Sequence, residues 1–334
     1  MVESAIPRSG VPGHPETQAP KQGARVVFLV RPSTFGFNPE TAPSNAFQHP
    51  PPSGRNPARL ARSEFDRMAH DLRGAGLRVI VVEDTRDPPK PDAVFPNNWM
   101  STHEDGTLVL YPMQAPNRRR ERRPAIATEL GGEFQVRRVI DLTPHEREGR
   151  YLEGTGSLVL DRVGRMAYAA RSVRTDSELV RAWGETLGYR VELFDASDLG
   201  GMPVYHTNVL MAIGSHWAVL GTELIQNQSE RQRILSRLRD TGHEVLELAT
   251  GQVLDFAGNL LELAGPEGAL IVVSRRGLRA LGRRGAGFLE THGQILEVDL
   301  DVIETVGGGG VRCMLAEIFL PPRDDPTPGA GTLP

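Results

Sequence analysis

The chain has 334 residues, a formal net charge of −4 at pH 7 and a sequence pI of about 6.2. This near balance gives no general reason to expect nucleic acid or an anionic membrane as a partner. No apolar run approaches the roughly 18–20 residues that span a bilayer, and the length suits one or two domains.

The two ends of the sequence differ in composition from the rest. Residues 1–22 are rich in Pro, Gly, Ser and Gln and lack the apolar stretch of a signal peptide. We therefore expect a disordered N-terminal tail over residues 1–22, a single domain over 23–321 and a flexible C-terminal tail over 322–334. The single cysteine, Cys313, excludes an internal disulfide, and without a signal peptide we expect a cytoplasmic protein.

The sequence gives no motif for a bound metal or cofactor. The nine histidines are scattered, with no His-x-x-x-His pair and no Cys-x-x-Cys. A P-loop is missing, as is a Gly-x-Gly-x-x-Gly between a strand and a helix. We expect neither a metal site nor a nucleotide cofactor.

In chain order, the first elements are a short apolar strand and a long loop. Val26–Val30 has the composition of a strand, and residues 33–54 form a loop rich in Phe, Asn and Pro. Long loops in compact enzymes are often functional, and Asn38 and Asn45 lie where they would contact a ligand if this loop closes over a site. A helix over 63–73 and a strand over 77–82 follow from their apolar periodicity.

From residue 98 a pattern of strand, glycine turn and strand recurs. Its copies begin at Asn98, Ser157, Asn208, Asn259 and Cys313, so their spacings are 59, 51, 51 and 54 residues. Helical segments are predicted after the first four copies, over 118–130, 177–187, 229–241 and 278–282. Further strands are predicted over 136–140, 190–193, 244–248 and 294–298.

A period of 50–60 residues is typical of a closed array of similar units. Each unit is predicted to be ββαβ, and the N-terminal strand and helix complete the circle with the strand after Cys313. The sequence therefore predicts an α/β fold, a five-bladed α/β propeller of pseudo-symmetric modules. Equivalent positions then converge on the centre, so Asn98, Asn208, Asn259 and Cys313 are expected to face one another.

Cys313 follows four glycines and precedes an apolar run that is predicted to be a buried strand beginning at the cysteine. A flexible loop that meets a strand is a good place to present a nucleophile. A free cysteine also often packs as a small buried hydrophobe, and the residues around Cys313 do not separate these readings.

Polar residues precede the repeat positions and strengthen the nucleophile reading. Asp92, Glu153 and His206 each lie shortly before such a position. A Cys, a His and an acid at matching ends of a closed sheet form a nucleophilic constellation, in which a nearby imidazolium lowers the pKa of the thiol. Alternatively, His206 is a core histidine, Glu153 caps a turn, and Asn97 and Asn98 form only a turn after a proline.

A run of basic residues at positions 118–123 is the densest charge in the chain. Such runs usually form a solvated helix face, and we expect that here rather than a binding patch.

Taken together, these motifs resemble the guanidino-group-modifying, or pentein, superfamily, which includes arginine deiminases, dimethylarginine hydrolases and glycine amidinotransferases. They are similar above all to the branch of amidinotransferases and citrulline-utilisation hydrolases. The resemblance spans about residues 25–321 and rests on the segments 31–38, 91–99, 153–157, 205–209, 257–263 and 308–313.

The resemblance implies a role for each matching residue. Cys313 would be the nucleophile and His206 the general acid and base. Glu153 would orient His206 or the substrate. Substrate binding would involve Asp92, Asn97, Asn98, Asn259 and Arg174, the last through the α-carboxylate of an amino acid.

One departure from the family bears on the substrate. The dimethylarginine hydrolases carry acids where this chain has Asn97 and Asn98. Acids suit a cationic guanidinium, whereas amides both donate and accept and suit a neutral ureido group. We therefore expect hydrolysis of citrulline to ornithine through an S-carbamoyl enzyme.

Several alternatives stay open. The chain is an amidinotransferase if an amine replaces water, or an arginine deiminase or dimethylarginine hydrolase if the amides are over-interpreted. From another class, it is a non-catalytic binding factor of the same fold. The expected partner is a small amino-acid substrate, with no nucleic acid and no membrane, and the sequence leaves open whether the chain is a homo-oligomer.

Overall fold

The structure is a computed structural model that describes residues 21–323 except 52, 55 and 199. Most of both predicted tails therefore lies outside the described residues. Gln22, at the end of the predicted N-terminal tail, is buried, and its side-chain amide donates to the carbonyl oxygens of Leu160 and Ile213 at 2.8 and 3.1 Å. None of the described helices is both long and apolar enough to cross a membrane.

Fifteen strands of the described chain form five sheets of three strands each. In chain order the strands are β1 Val26–Arg31, β2 Arg78–Glu83, β3 Met100–Thr102, β4 Thr107–Leu110, β5 Arg138–Asp141, β6 Val159–Asp161, β7 Met166–Ala170, β8 Arg190–Phe194, β9 Met211–Ile213, β10 Trp217–Leu220, β11 Glu244–Glu247, β12 Leu261–Gly265, β13 Gly268–Ser274, β14 Gln294–Val298 and β15 Ala316–Ile318.

Each sheet has an antiparallel inner pair and a parallel outer pair. In four sheets a hairpin supplies the inner pair, as in β3–β4, and a crossover leads to the outer strand, here β5. The fifth sheet joins the two ends of the chain, because β15 pairs antiparallel with β1 and places Phe28 opposite Ala316. The predicted ring of five ββαβ modules is confirmed.

Eight α-helices are assigned among the described residues. They are α1 Pro57–Gly74, α2 Pro124–Glu133, α3 Gly154–Ser157, α4 Ser177–Leu187, α5 Gln228–Asp240, α6 Thr250–Leu254, α7 Arg275–Glu290 and α8 Val311–Met314. Helices α1, α2, α4, α5 and α7 are the crossovers, and α1 and α7 are much longer than predicted.

Helix α4 shows how the sequence builds a crossover. The carboxylate of Asp176 accepts the backbone N–H groups of Glu178 and Leu179 and caps the first turn. Leu179, Val180, Trp183 and Leu187 recur at helical spacing and are buried. Gly188 then takes a left-handed conformation, with φ 70°, and ends the helix.

The predicted first residue of the last strand, Cys313, was wrong. Cys313 lies in the one-turn helix α8, and the strand runs only from Ala316 to Ile318. The backbone N–H of Cys313 donates to the carbonyl of Gly310 at 3.1 Å, which closes the turn. Short helical turns also precede β3, β6 and β9, at Pro96–Asn98, α3 and Thr207–Val209, so the polar repeat positions lie on turns at one end of the ring.

Candidate active site

Two of these turns bring Glu153 and His206 together. Glu153 precedes α3, and His206 precedes the turn at Thr207–Val209. Oε2 of Glu153 lies 2.8 Å from Nε2 of His206, and Oε1 accepts the backbone N–H of Gln114 at 3.0 Å. Both side chains are buried, so this pair is held rigidly.

Two guanidinium groups face the same carboxylate. Arg174 and Arg118 lie 3.6 and 3.8 Å from Oε2 of Glu153. Burial opposes ionisation of Glu153, but Arg174, the hydrogen bond from His206, and Arg118 outweigh it and lower its pKa to about 2. Glu153 is therefore a carboxylate at neutral pH.

The same surroundings keep His206 neutral. Burial, together with the charges of Arg174 and Arg118, lowers its pKa to about 4 despite the opposing effect of Glu153. Because Glu153 is ionised, Nε2 of His206 carries the proton and Nδ1 is left as a base. A Cβ atom on Gly156 would lie 2.7 Å from this Nδ1 and 2.5 Å from Nδ2 of Asn98, so both groups face the same glycine.

Cys313 lies between two asparagine side chains. Its Sγ is 3.4 Å from Nδ2 of Asn259 and 3.7 Å from Oδ1 of Asn208. Asn259 also accepts the backbone N–H of Arg312 at 3.0 Å, which fixes the amide against α8. The predicted convergence of the repeat positions 208, 259 and 313 is thus present. The turn that holds Asn98 also packs against α8, and the side chain of Asn98 accepts a hydrogen bond from Arg118.

The expected low pKa of the thiol is wrong for this state of the protein. Burial raises the pKa of Cys313, and the contacts with Asn259 and Asn208 offset this only in part. His206 is neutral, and within the described residues no hydrogen bond joins it to Cys313. The thiol is therefore protonated at rest.

Residues 38–45 of the predicted loop cover this end of the ring. Nδ2 of Asn38 donates to Oδ2 of Asp92 at 2.7 Å, and the guanidinium of Arg174 donates to the carbonyl of Thr41 and the hydroxyl of Ser44. Asn45 donates to the carbonyl of Gly308, five residues before Cys313. Arg174 is therefore buried beneath the loop rather than on the surface.

Several buried polar atoms near these residues have no hydrogen-bond partner among the described residues. They are Oδ1 of Asp92, both amide atoms of Asn97, Nδ2 of Asn98 and Nδ2 of Asn208. An unpaired buried polar group costs free energy, and such groups in a site are the ones that a ligand satisfies. No group of three or more His, Cys, Asp or Glu in the described chain is placed to hold a metal ion.

Comparison with known families places the chain in one of them. The family model described as N,N dimethylarginine dimethylhydrolase, eukaryotic, matches residues 31–320. The chain belongs to this family. It is thereby a member of the guanidino-group-modifying superfamily that the motifs resemble, and no curated protein sequence matches the chain.

Solved structures share the fold of this dimethylarginine dimethylhydrolase family member. The N-terminal domain of ArgZ, covalently bound to a reaction intermediate, has a TM-score of 0.69 at 16% identity and covers 89% of this chain and 99% of that domain. ArgZ is described as an arginine dihydrolase from the ornithine–ammonia cycle in Cyanobacteria. AgrE in complex with L-arginine has a TM-score of 0.70 at 17% identity, with 90% of this chain and 41% of AgrE covered. The dimethylarginine hydrolase of Pseudomonas aeruginosa, complexed with citrulline, has a TM-score of 0.63 at 14% identity, with 89% and 100% covered.

The chain spans only about 41% of full-length ArgZ and AgrE, so it corresponds to one part of those longer proteins. At these identities the comparison concerns the fold. The site residues are assigned from the contacts and distances between them in this chain.

Arg118 is the site residue that the sequence did not reveal in this family member. The run 118–123 was expected to be solvated, but Arg118 is 2% exposed and donates to Oδ1 of Asn98 at 2.9 Å. Its guanidinium also pairs with Glu121 at 2.9 Å and lies 3.8 Å from Asp92. Within the run, only the spacing of three residues from Arg118 to the acidic Glu121 distinguishes it from its basic neighbours.

Proposed function

We propose that the chain is a cysteine-dependent hydrolase that cleaves the ureido group of citrulline and releases ornithine. The observation that carries this proposal is the set of unpaired amide groups around the nucleophile. Asn98 and Asn208 each keep an open N–H₂ donor, and Asn97 keeps a donor and an acceptor. A ureido group has a C=O that accepts and an NH₂ that donates, so it matches this set.

The free Oδ1 of Asp92 fits the same group or the amino-acid part of the substrate. Burial raises the pKa of this carboxyl against the charge of Arg118 and the hydrogen bonds from Asn38 and Thr41. Arg174, under the covering loop, is proposed to pair with the α-carboxylate after exchanging its contacts with Thr41 and Ser44.

In the first half of the reaction, Sγ of Cys313 bonds to the ureido carbon. The thiol proton passes to Nδ1 of His206, and the Nε2–H bond to the Glu153 carboxylate stabilises the resulting imidazolium. The imidazolium then gives a proton to the side-chain nitrogen as its bond to the ureido carbon breaks. Ornithine leaves, and an S-carbamoyl enzyme remains.

In the second half, His206 takes a proton from water, and the hydroxide attacks the S-carbamoyl carbon. The C–S bond breaks, carbamate leaves, and the sulfur regains a proton from His206. Carbamate then decays to ammonia and carbon dioxide. His206 therefore acts as base and as acid in each half, which requires it to be neutral at rest, as its lowered pKa allows.

Arginine is the second candidate substrate. The carboxylates of Asp92 and Glu153 lie beside the amides and would attract a guanidinium. ArgZ is described as an arginine dihydrolase, and AgrE was crystallised with L-arginine. Hydrolysis of arginine would use the same covalent step on the amidino carbon.

The deciding experiment is product analysis with citrulline, arginine and dimethylarginine, each with and without glycine. Cys313→Ala is the control for the nucleophile. Ornithine and ammonia from citrulline, absent in the control, would support the proposal. Citrulline formed from arginine would instead make the enzyme a deiminase, and dimethylamine from dimethylarginine would make it a dimethylarginine hydrolase. Ornithine from arginine only with glycine present would indicate group transfer.

A further inference from the structure

A cavity lies apart from the residues of the candidate active site, between the start of α7 and the segment that leads to Cys313. Its volume is about 580 Å³, within the range of small-molecule sites. It is lined by Asp255, Arg275, Arg276, Arg279, Ala280, Asp299, Leu300, Asp301 and Glu304. None of these residues has a role in the proposed reaction.

The charges of this lining are only partly paired. Arg275 bonds to Asp299 at 2.7 Å and to Glu297, and Arg276 bonds to Asp255 at 2.8 Å. Three charged side chains of the lining have no ion-pair partner in the described chain, namely Arg279, Asp301 and Glu304. The cavity is therefore left with one cation, Arg279, and two carboxyl groups, Asp301 and Glu304, that have no ion-pair partner in the described chain.

Glu304 is the most unusual of the three. It is 1% exposed, and neither carboxylate oxygen has a hydrogen-bond partner among the described residues. Burial raises its pKa to about 8, and the hydroxyl of Ser274 and the charge of Arg276 are the groups that favour its ionised form. Ser274 is the N-cap of α7 and Arg276 lies in its first turn, and Glu304 and Arg276 both line the cavity.

We propose that this cavity binds a dibasic α-amino acid. One carboxylate would pair with Arg279, and two cationic groups would pair with Asp301 and with Glu304, which gives up its proton when the ligand binds. Because burial holds Glu304 largely protonated near neutral pH, a cationic ligand would favour its ionised form and lower its pKa. The ligand class follows from these charges and does not depend on the proposed reaction.

The cavity is connected to the active site along two routes. The carbonyl of Glu304 accepts the N–H of Gly308 at 3.0 Å, and the carbonyl of Gly308 accepts the hydroxyl of Tyr205, next to His206. The segment Ile303–Gly307 is a π-helix, a form that often marks functional sites.

The second route runs through an aromatic pair. The guanidinium of Arg276 lies 5.4 Å from the ring centroid of Phe256, which is held at φ 61° although it is not a glycine. That ring packs 5.3 Å from Phe47 in the covering loop. A bound ligand would thus contact the segment that precedes Cys313. It would also contact Arg276, whose neighbour Phe256 packs against Phe47 of the covering loop.

The test is calorimetric titration of L-lysine, a dibasic amino acid without a guanidino or ureido group, into the full chain. Glu304→Gln and Arg279→Met should each weaken one binding event at least ~10-fold, because each removes a charge-assisted contact. Glu297→Gln is the matched control, since Glu297 is exposed, pairs with Arg275 and does not line the cavity. L-Norleucine, which lacks the side-chain cation, should bind at least ~10-fold more weakly than L-lysine.

Binding of L-lysine in the catalytic site is distinguished because neither cavity variant removes it. Unchanged L-lysine affinity in both variants, or no measurable binding to the unsubstituted chain, would overturn the proposal. Melting curves check that Glu304→Gln is folded, and the exposed Arg279→Met keeps the test valid if it is not. None of these measurements uses turnover, so their outcome is independent of the proposed catalytic function.

Discussion

The two halves of the candidate active site differ in how their polar groups are paired. In the charged half, Asp92, Arg118, Glu153 and Arg174 each lie within 4 Å of an opposite charge. In the amide half, Asn97, Asn98 and Asn208 keep donors or acceptors with no partner in the described chain. The charges are arranged before any ligand arrives, as preorganised sites require, whereas the amides are left to be completed by the ligand.

The largest expected effect comes from removing the nucleophile held beside the amide half. Cys313→Ala should lower kcat by at least ~10⁴-fold, because no covalent intermediate can form. The side chain is small and buried, so the melting temperature should change little. Single-turnover assays with citrulline and arginine measure the loss, and residual turnover within ~10-fold of the unsubstituted enzyme would exclude Cys313 as nucleophile.

Within the charged half, Glu153→Gln should lower kcat by about 10³–10⁴-fold, because the imidazolium formed on His206 loses its carboxylate. It should also destabilise the fold by about 3–5 kcal/mol, because Arg118 and Arg174 keep buried charges with one anion fewer. Glu185→Gln, an exposed substitution on α4, is the control for both measurements. Stability equal to that of the control would show that the two arginines do not depend on Glu153.

The same pair gives an acid-side prediction. The folded pKa of Glu153, about 2, lies below its unfolded value, so its contribution to stability is present above roughly pH 4.3 and is lost as the pH falls towards 2. The folded pKa of His206, about 4, is also lowered, so its contribution is lost between roughly pH 6.5 and 4. Urea unfolding at several pH values should show a steady fall from pH 6.5 downwards. In Glu153→Gln the part below pH 4.3 should be weaker, and an identical acid profile would contradict this account.

Substitution of Arg118 tests whether a single guanidinium links the two halves. It faces Asp92 and Glu153 in the charged half and donates to Asn98 in the amide half. Arg118→Met should cost about 3 kcal/mol of unfolding free energy, because Asp92 and Glu121 then lose their buried cation, while Glu153 keeps Arg174. Arg120→Met, two residues along and exposed, should stay within about 0.5 kcal/mol. Equal unfolding free energies for the two variants would show that Arg118 contributes no more to stability than an arginine on a solvated helix face, as the sequence predicted.

The contrast between the halves also explains what the sequence could predict. The spacing of 51 to 59 residues predicted five modules, and the shared repeat position predicted the contact between Cys313 and Asn259, because pseudo-symmetry converts chain spacing into spatial neighbours. Arg118 lies outside that spacing, in a run whose other arginines are partly or fully exposed, so only tertiary packing distinguishes it. The raised pKa of the thiol was equally hidden, because it depends on how deeply the folded chain buries Cys313.

The substitution with the smallest expected effect is Asn98→Asp, which is also the most direct test of substrate choice. An aspartate keeps the acceptor that Arg118 uses but replaces the open Nδ2 donor with a second acceptor. The ratio of kcat/KM for arginine over citrulline should therefore rise by about tenfold or more, since a guanidinium needs acceptors and a ureido oxygen needs a donor. Asn227→Asp, at the N-cap of α5, is the matched control, because aspartate caps a helix as well as asparagine does. If Asn98→Asp gains nothing on arginine and retains citrulline activity, the open amide does not select the substrate, and the choice between ureido and guanidino groups rests with the carboxylates of the charged half.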